Sequence, residues 1–150
     1  MKSLSSLPIA YVDIRFCAHA TENEDKVLKA AYNVLASEEP EEITFTKNEV
    51  EGHYGNPIIF FETRIKDKKI IKKLIENLST NLSSLDKNEL TNTIDRCVEK
   101  GSLYIRIDKQ AAYQNKIKLV TSDPIRIRIR FTKNKTEDVT LICKELGILT

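Results

Sequence analysis

Ile125-Arg126-Ile127-Arg128-Ile129-Arg130-Phe131 is the strictest alternation in the chain. Successive side chains of a β-strand point to opposite faces. Ile125, Ile127, Ile129 and Phe131 therefore predict a buried face, and Arg126, Arg128 and Arg130 a row on the other. A strand with one apolar and one charged face belongs to a sheet that is covered on one side only. Residues two apart on a strand are roughly 6.6 Å apart, about the spacing of successive phosphates in a nucleic-acid strand. A guanidinium also suits bidentate phosphate contact. The competing reading is a solvated face whose arginines pair with cross-strand acids such as Glu62 or Asp13.

Similar patterns extend outward along the chain. A strand over about Ala10 to Ala18 alternates Ala10, Val12, Ile14 and Phe16 against Tyr11, Asp13, Arg15 and Cys17. Thr21 with Glu24 fits a capping box for a helix whose stripe is Val27, Leu28, Ala31, Val34 and Leu35. Glu38-Glu39-Pro40-Glu41-Glu42 ends that helix, and strands over Ile43–Val50 and Ile58–Ile65 follow. Asp67 caps a second helix carrying Ile70, Ile71, Leu74, Ile75 and Leu78. Ser79 to Ser84 reads as a polar connection, then a third helix runs from Asp86 until Gly101 ends it. Its last turn, Ile94 to Val98, reads equally as extended chain.

Leu103, Ile105 and Ile107 mark a further strand with Tyr104 and Arg106 opposite, and Asp108 starts a helical turn over Lys109–Tyr113. A strand near Ile117–Val120 and a turn at Ser122-Asp123-Pro124 lead into the arginine strand. Thr136 caps a last helix that stops at Gly147. These elements predict an α+β fold: a two-layer sandwich with a mostly antiparallel, mixed sheet and helices packed on one face. One domain spanning residues 1–150 is expected, with residues 1–8 flexible.

Net charge is only +2 over 150 residues, yet its distribution is uneven. Residues 100–135 hold ten Lys or Arg against Asp108 and Asp123, and residues 38–51 hold six Glu against Lys47. A near-neutral protein with such a basic third can bind a polyanion through it. Cys17, Cys97 and Cys143 form no CxxC pair, and an odd number argues against a disulfide framework. No signal peptide and no long apolar run is present, so a cytoplasmic protein off the membrane is expected.

Catalysis has little support. No P-loop, GxGxxG or GxSxG occurs. His19 and His53 lack the helical spacing or Cys partners usual for metal ligation. Asp13, Asp95, Asp108 and Glu62 could serve a metal-dependent nuclease, but read better as caps or solvated strand residues. No catalytic residue, metal or cofactor is therefore expected. The loop Gly52-His53-Tyr54-Gly55-Asn56-Pro57 is either a tight turn or a rigid loop offering His53, Tyr54 and Asn56 to unpaired bases. Lys109, Gln110 and Tyr113 read as a cation, an amide and an aromatic beside Arg106, a combination that looped RNA recognition uses.

Asp13-Ile14-Arg15 with His19-Ala20-Thr21-Glu22, the Gly52–Pro57 loop, and Leu103 to Tyr113 together resemble an archaeal RNA-binding protein family described as a predicted exosome subunit. The resemblance covers about Ile9 to Phe131. It implies a small α+β fold similar to the ribosomal protein that holds 5S rRNA, and a non-catalytic role in RNA processing or degradation linked to the exosome. RNA is then the expected partner, with exosome or ribosomal components beside it. Expected RNA contacts are Arg126, Arg128, Arg130, Arg106, Lys109, Gln110, Tyr113, His53, Tyr54, Asn56 and His19. Gln114-Asn115 departs from the family where a glycine is expected after the tyrosine. A protein-interaction subunit, or a homodimer docking an acidic stretch on the basic face, is the alternative reading.

Overall fold

The computed structural model describes residues 7–36 and 43–150, with only the backbone of His53. The helix break expected at residues 38–42 and most of the flexible stretch expected at 1–8 lie outside the described residues. Leu7 already packs against the core, and the Pro8 carbonyl accepts from the Thr132 amide at 3.0 Å.

Among the described residues six strands form one sheet: β1 (Ile9–His19), β2 (Thr46–Glu51), β3 (Pro57–Ile65), β4 (Val98–Glu99), β5 (Ser102–Ile107) and β6 (Ile125–Phe131). Their order is β2-β3-β1-β6-β5-β4, and every described pairing is antiparallel. The arginine strand is thus central, between β1 and β5. Helices α1 (Glu24–Leu35), α2 (Lys68–Asn81) and α6 (Thr136–Leu146) cover one face. Short α5 (Lys109–Tyr113) packs on α1, while α3 (Ser84–Asn92) and α4 (Ile94–Cys97) lie near the β4–β5 edge.

Alternation makes this core. Ile125, Ile127, Ile129 and Phe131 are fully buried, opposite Val12 and Ile14 of β1 and Leu103, Ile105 and Ile107 of β5. Each such side chain contributes roughly 1.5–3 kcal/mol by leaving water. Ile71, Leu74 and Leu78 of α2 and Val139 and Cys143 of α6 close the other layer. Burial pushes the Cys143 thiol up to about 12. The strand β2 is the exception: all six residues are exposed, as suits a polar edge.

Several local expectations are corrected. The β1 register shifts between Ile9 and Tyr11, which buries Ile9 and leaves Ala10 outside. Asn23, not Thr21, caps α1 by accepting from the Lys26 amide, while the Glu22 carboxylate reaches back to the His19 amide. Thr136 is the first residue of α6 rather than its cap. The segment read as a polar connection is mostly helix, with Ser83 capping α3. Near Ile117–Val120 there is only an isolated Ile107–Leu119 bridge.

Gly101 does not end a helix. Lys100 and Gly101, at φ 49° and 81°, form the two-residue turn of the β4–β5 hairpin, where positive φ at both positions matches the twist of the strands. Asn115 holds φ 60°, so an asparagine supplies the left-handed turn expected of a glycine.

Candidate nucleic-acid interface

The uncovered face of the sheet is built by register. Arg15 of β1 stands directly opposite Arg126 of β6, and Arg126 opposite Arg106 of β5. One step along, Arg64, Asp13, Arg128 and Tyr104 form a second cross-strand row; Tyr11, Arg130 and Ser102 form a third. The outward positions of β3, β1, β6 and β5 thus carry six arginines against Asp13 and Glu62, a net charge of +4.

Some of this charge is paired internally. Arg64 grips Asp13 with Nε and Nη2 at 2.8 and 3.1 Å, which raises the Arg64 pKa. Arg15 meets Glu62 at 3.4 Å, and Arg128 lies 3.8 Å from Asp13 while donating to the Ser102 hydroxyl. Arg130 donates to the Lys100 carbonyl and the Asn134 side chain. The predicted pairing with Glu62 and Asp13 therefore exists, but mainly through Arg15 and Arg64.

Arg126 is different. Its guanidinium stacks 4.7 Å above the Tyr104 ring, and its Nε is buried with no hydrogen-bond partner among the described residues. Like charges directly opposite on neighbouring strands are destabilising, and Arg126 has one on each side. Among the described residues neither Arg126 nor Arg106 has an acidic partner, so their charges stand unneutralised on this row. Together with Arg15, Arg64, Arg128 and Tyr104, Arg126 lines a cavity of about 480 Å³.

Aromatic rings interleave with the cations. Tyr11 lies 4.0 Å from the Arg64 guanidinium, and Phe60 stands on the same face opposite Cys17, still 44% exposed. Such rings offer surfaces on which unpaired bases stack.

The remaining expected contacts are scattered. Tyr54, at φ 60°, is fully exposed in a single 3-10 turn (His53–Gly55) at the β2–β3 hairpin tip, with Asn56 beside it. The His53 side chain lies outside the described residues. Tyr113 and Gln110 do not join Arg106: α5 packs on α1, and Lys26 and Lys29 approach the Tyr113 ring at 5.8 and 5.2 Å. Lys109 is 7% exposed, its ammonium held by Glu22, Asp123 and the Cys17 carbonyl. It organises the interior rather than facing solvent.

His19 closes the same cluster, with Nε2 3.2 Å from Asp123 Oδ1 and 3.7 Å from Cys17 Sγ. Burial pushes the Asp123 carboxyl up, but hydrogen bonds from Lys109, His19 and Cys17 and the Lys109 charge outweigh it and hold it below its ordinary value. Burial, assisted by Asp123 and Glu22, raises the Cys17 thiol against the opposing pull of Lys109.

Sequence reasoning missed Arg15, Arg64, Tyr11, Tyr104 and Phe60 as members of this face. Their outward parity was available from alternation; their adjacency to the arginine strand follows only from the strand order.

A family model described as RNA binding matches residues 11–131. The chain belongs to this family. Within this RNA-binding family's span lie five of the six strands completely and all but the first two residues of β1. The chain is 35% identical over 139 residues to an RNA-binding protein of Pyrococcus abyssi, covering 89% of this chain and 90% of that one. A Methanocaldococcus jannaschii protein is 34% identical over 138 residues, with 86% and 92% covered. The crystal structure of an Archaeoglobus fulgidus protein superposes with a TM-score of 0.76 at 32% identity, covering 92% of this chain and 99% of that one. The archaeal RNA-binding resemblance read from the three motifs agrees with these relatives. Among the described residues, no helix is long and apolar enough to cross a membrane.

Proposed function

We propose that the protein binds single-stranded or looped RNA on the open face of its sheet, with phosphates on the Arg15–Arg126–Arg106 row and bases against Phe60, Tyr104 and the Tyr54 hairpin. The observation that carries this reading is the Arg15–Arg126–Arg106 row, three directly opposed arginines of which Arg126 and Arg106 have no acidic partner among the described residues. Family membership and the name of the Pyrococcus relative support RNA as the polyanion. Arg128 and Arg130 flank the row, and Lys109 positions the end of β1 from within, with His19 beside it at the surface.

The role is non-catalytic in this reading. Asp13 and Glu62 pair with Arg64 and Arg15, Asp108 caps α5 and Asp95 stands in the first turn of α4, which supports ion-pair and cap roles for these carboxylates over two-metal hydrolysis. Association with RNA processing or degradation, including an exosome link, is the role that the family resemblance supports. Co-purification with exosome or ribosomal components from native cells tests it.

Binding is tested by fluorescence anisotropy of a labelled single-stranded RNA at rising salt. About four neutralised phosphates give a slope of log K against log salt near −3, or about a 50-fold loss between 50 and 200 mM. A salt-independent isotherm, or preference for an acidic peptide over RNA, would favour the protein-docking alternative.

A further inference from the structure

We propose that Cys17, His19 and Asp123 form a binding site for a thiophilic divalent metal ion, zinc above all, at the end of the sheet where β1 stops and β6 starts. Among the described residues one group of metal-ligating side chains converges, and it is this one. Cys17 and His19 are two apart on β1, which places both on the open face. Asp123 arrives from the turn before β6, where its φ of 49° is a left-handed conformation that aspartate tolerates.

The spacing is that of a tetrahedral shell. Zinc bonds of about 2.3 Å to sulfur and about 2.0–2.1 Å to nitrogen and oxygen separate S from N by about 3.5 Å, S from O by about 3.5 Å, and N from O by about 3.3 Å. The corresponding separations are 3.7 Å (Cys17 Sγ to His19 Nε2), 3.5 Å (Cys17 Sγ to Asp123 Oδ1) and 3.2 Å (His19 Nε2 to Asp123 Oδ1). His19 and Asp123 are partly exposed, their side chains at 43% and 39%, so an ion can enter and the fourth position faces water.

Charge agrees with geometry. Once the thiol has given its proton to solvent, Cys17, Asp123 and Glu22 carry three negative charges against the single positive charge of Lys109. The deficit of two is that of one divalent ion. Lys109 lies 2.9 and 3.0 Å from the two Asp123 oxygens, so it can retain Oδ2 while Oδ1 turns to the metal, the arrangement of an outer partner that orients a ligand. A mixed sulfur, nitrogen and oxygen set selects zinc or cobalt over magnesium or calcium, which take oxygen ligands. A bound ion would tie the end of β1 to the turn that launches the arginine strand.

The test is titration of reduced, chelator-treated full-length protein with cobalt(II), then zinc. The expected result is 1:1 binding with a thiolate-to-cobalt charge-transfer band and tetrahedral visible bands, displaced by zinc, and a Tm that rises with zinc. Cys17→Ser should remove the charge-transfer band and weaken zinc at least tenfold; His19→Gln and Asp123→Asn should each weaken it at least tenfold, and Cys97→Ser should change nothing. Circular dichroism confirms folding, and Cys17→Ala substitutes should Cys17→Ser not fold. Absence of stoichiometric cobalt binding, or bands that survive Cys17→Ser and vanish in Cys97→Ser, would overturn the proposal.

Discussion

Arg126→Gln should cost RNA affinity while leaving the fold as stable as before, or more so. Arg126 faces Arg15 on one side and Arg106 on the other, and each directly opposed like-charge pair costs roughly 0.2–1 kcal/mol. Against that relief stands the stack on Tyr104, worth about 0.5–1 kcal/mol for a partly exposed cation. Its Nε makes no hydrogen bond, so none is lost there. The net change should lie within about 1 kcal/mol of zero, on the stabilising side at low salt, which is a Tm shift of about 3 °C or less at this size. In 1 M salt the Debye length is about 3 Å, and the repulsive part should vanish. Removing one phosphate contact should lower the salt slope by about 0.7 and weaken binding about fivefold at 0.1 M. Thermal melts at two salt concentrations and anisotropy titrations measure both. A loss of more than about 2 kcal/mol would show that Arg126 is a structural strut and not a charge held for an anion.

Two further perturbations probe the frame around this face. Lys109→Met leaves Glu22 and Asp123 without their shared cation; because both carboxylates reach water, the cost should be about 2 kcal/mol rather than the full buried-pair value, read as a Tm drop of about 6 °C. Asp123 is held below its ordinary pKa, so its stabilising contribution is present above the usual carboxylate range and lost as pH falls through the lowered value. A melt series from pH 6 to pH 2 should show that acid limb flattened in Lys109→Met. Gly101→Ala should destabilise by about 1–3 kcal/mol in urea titration, since φ is 81° and the new Cβ would lie 1.9 Å from Arg130 Nη1 and 2.4 Å from the Lys133 carbonyl oxygen.

The parts legible in the sequence are those set by local parity. The inward residues of β5 and β6 and the stripe of α2 follow from spacing, because burial acts on each side chain through its own position. Asp67 and Asp108 were readable as caps for the same reason. What failed was decided by distant partners or close local competition. Thr21 and Asn23 both suit a helix start, and the reach of Glu22 to the His19 amide settled which caps. Lys109 looked like a surface cation because its carboxylates are 87 and 14 residues away. Tyr113 and Arg106 are close in sequence, yet α5 turns back onto α1 and separates them. His19 seemed to lack metal-type partners since Asp123 meets it only through the β1–β6 pairing.

Charge-matched variants of the two faces locate the RNA on the molecule. Arg15, Arg106 and Arg126 changed together to Gln remove three charges from the open face. Lys66, Lys69 and Lys73 changed to Gln remove three exposed charges at and before α2 on the helical side. Single-stranded RNA affinity at 0.1 M salt should fall about 100-fold in the first variant, and under about threefold in the second. Equal losses in the two would show that binding follows net charge and not the arginine face.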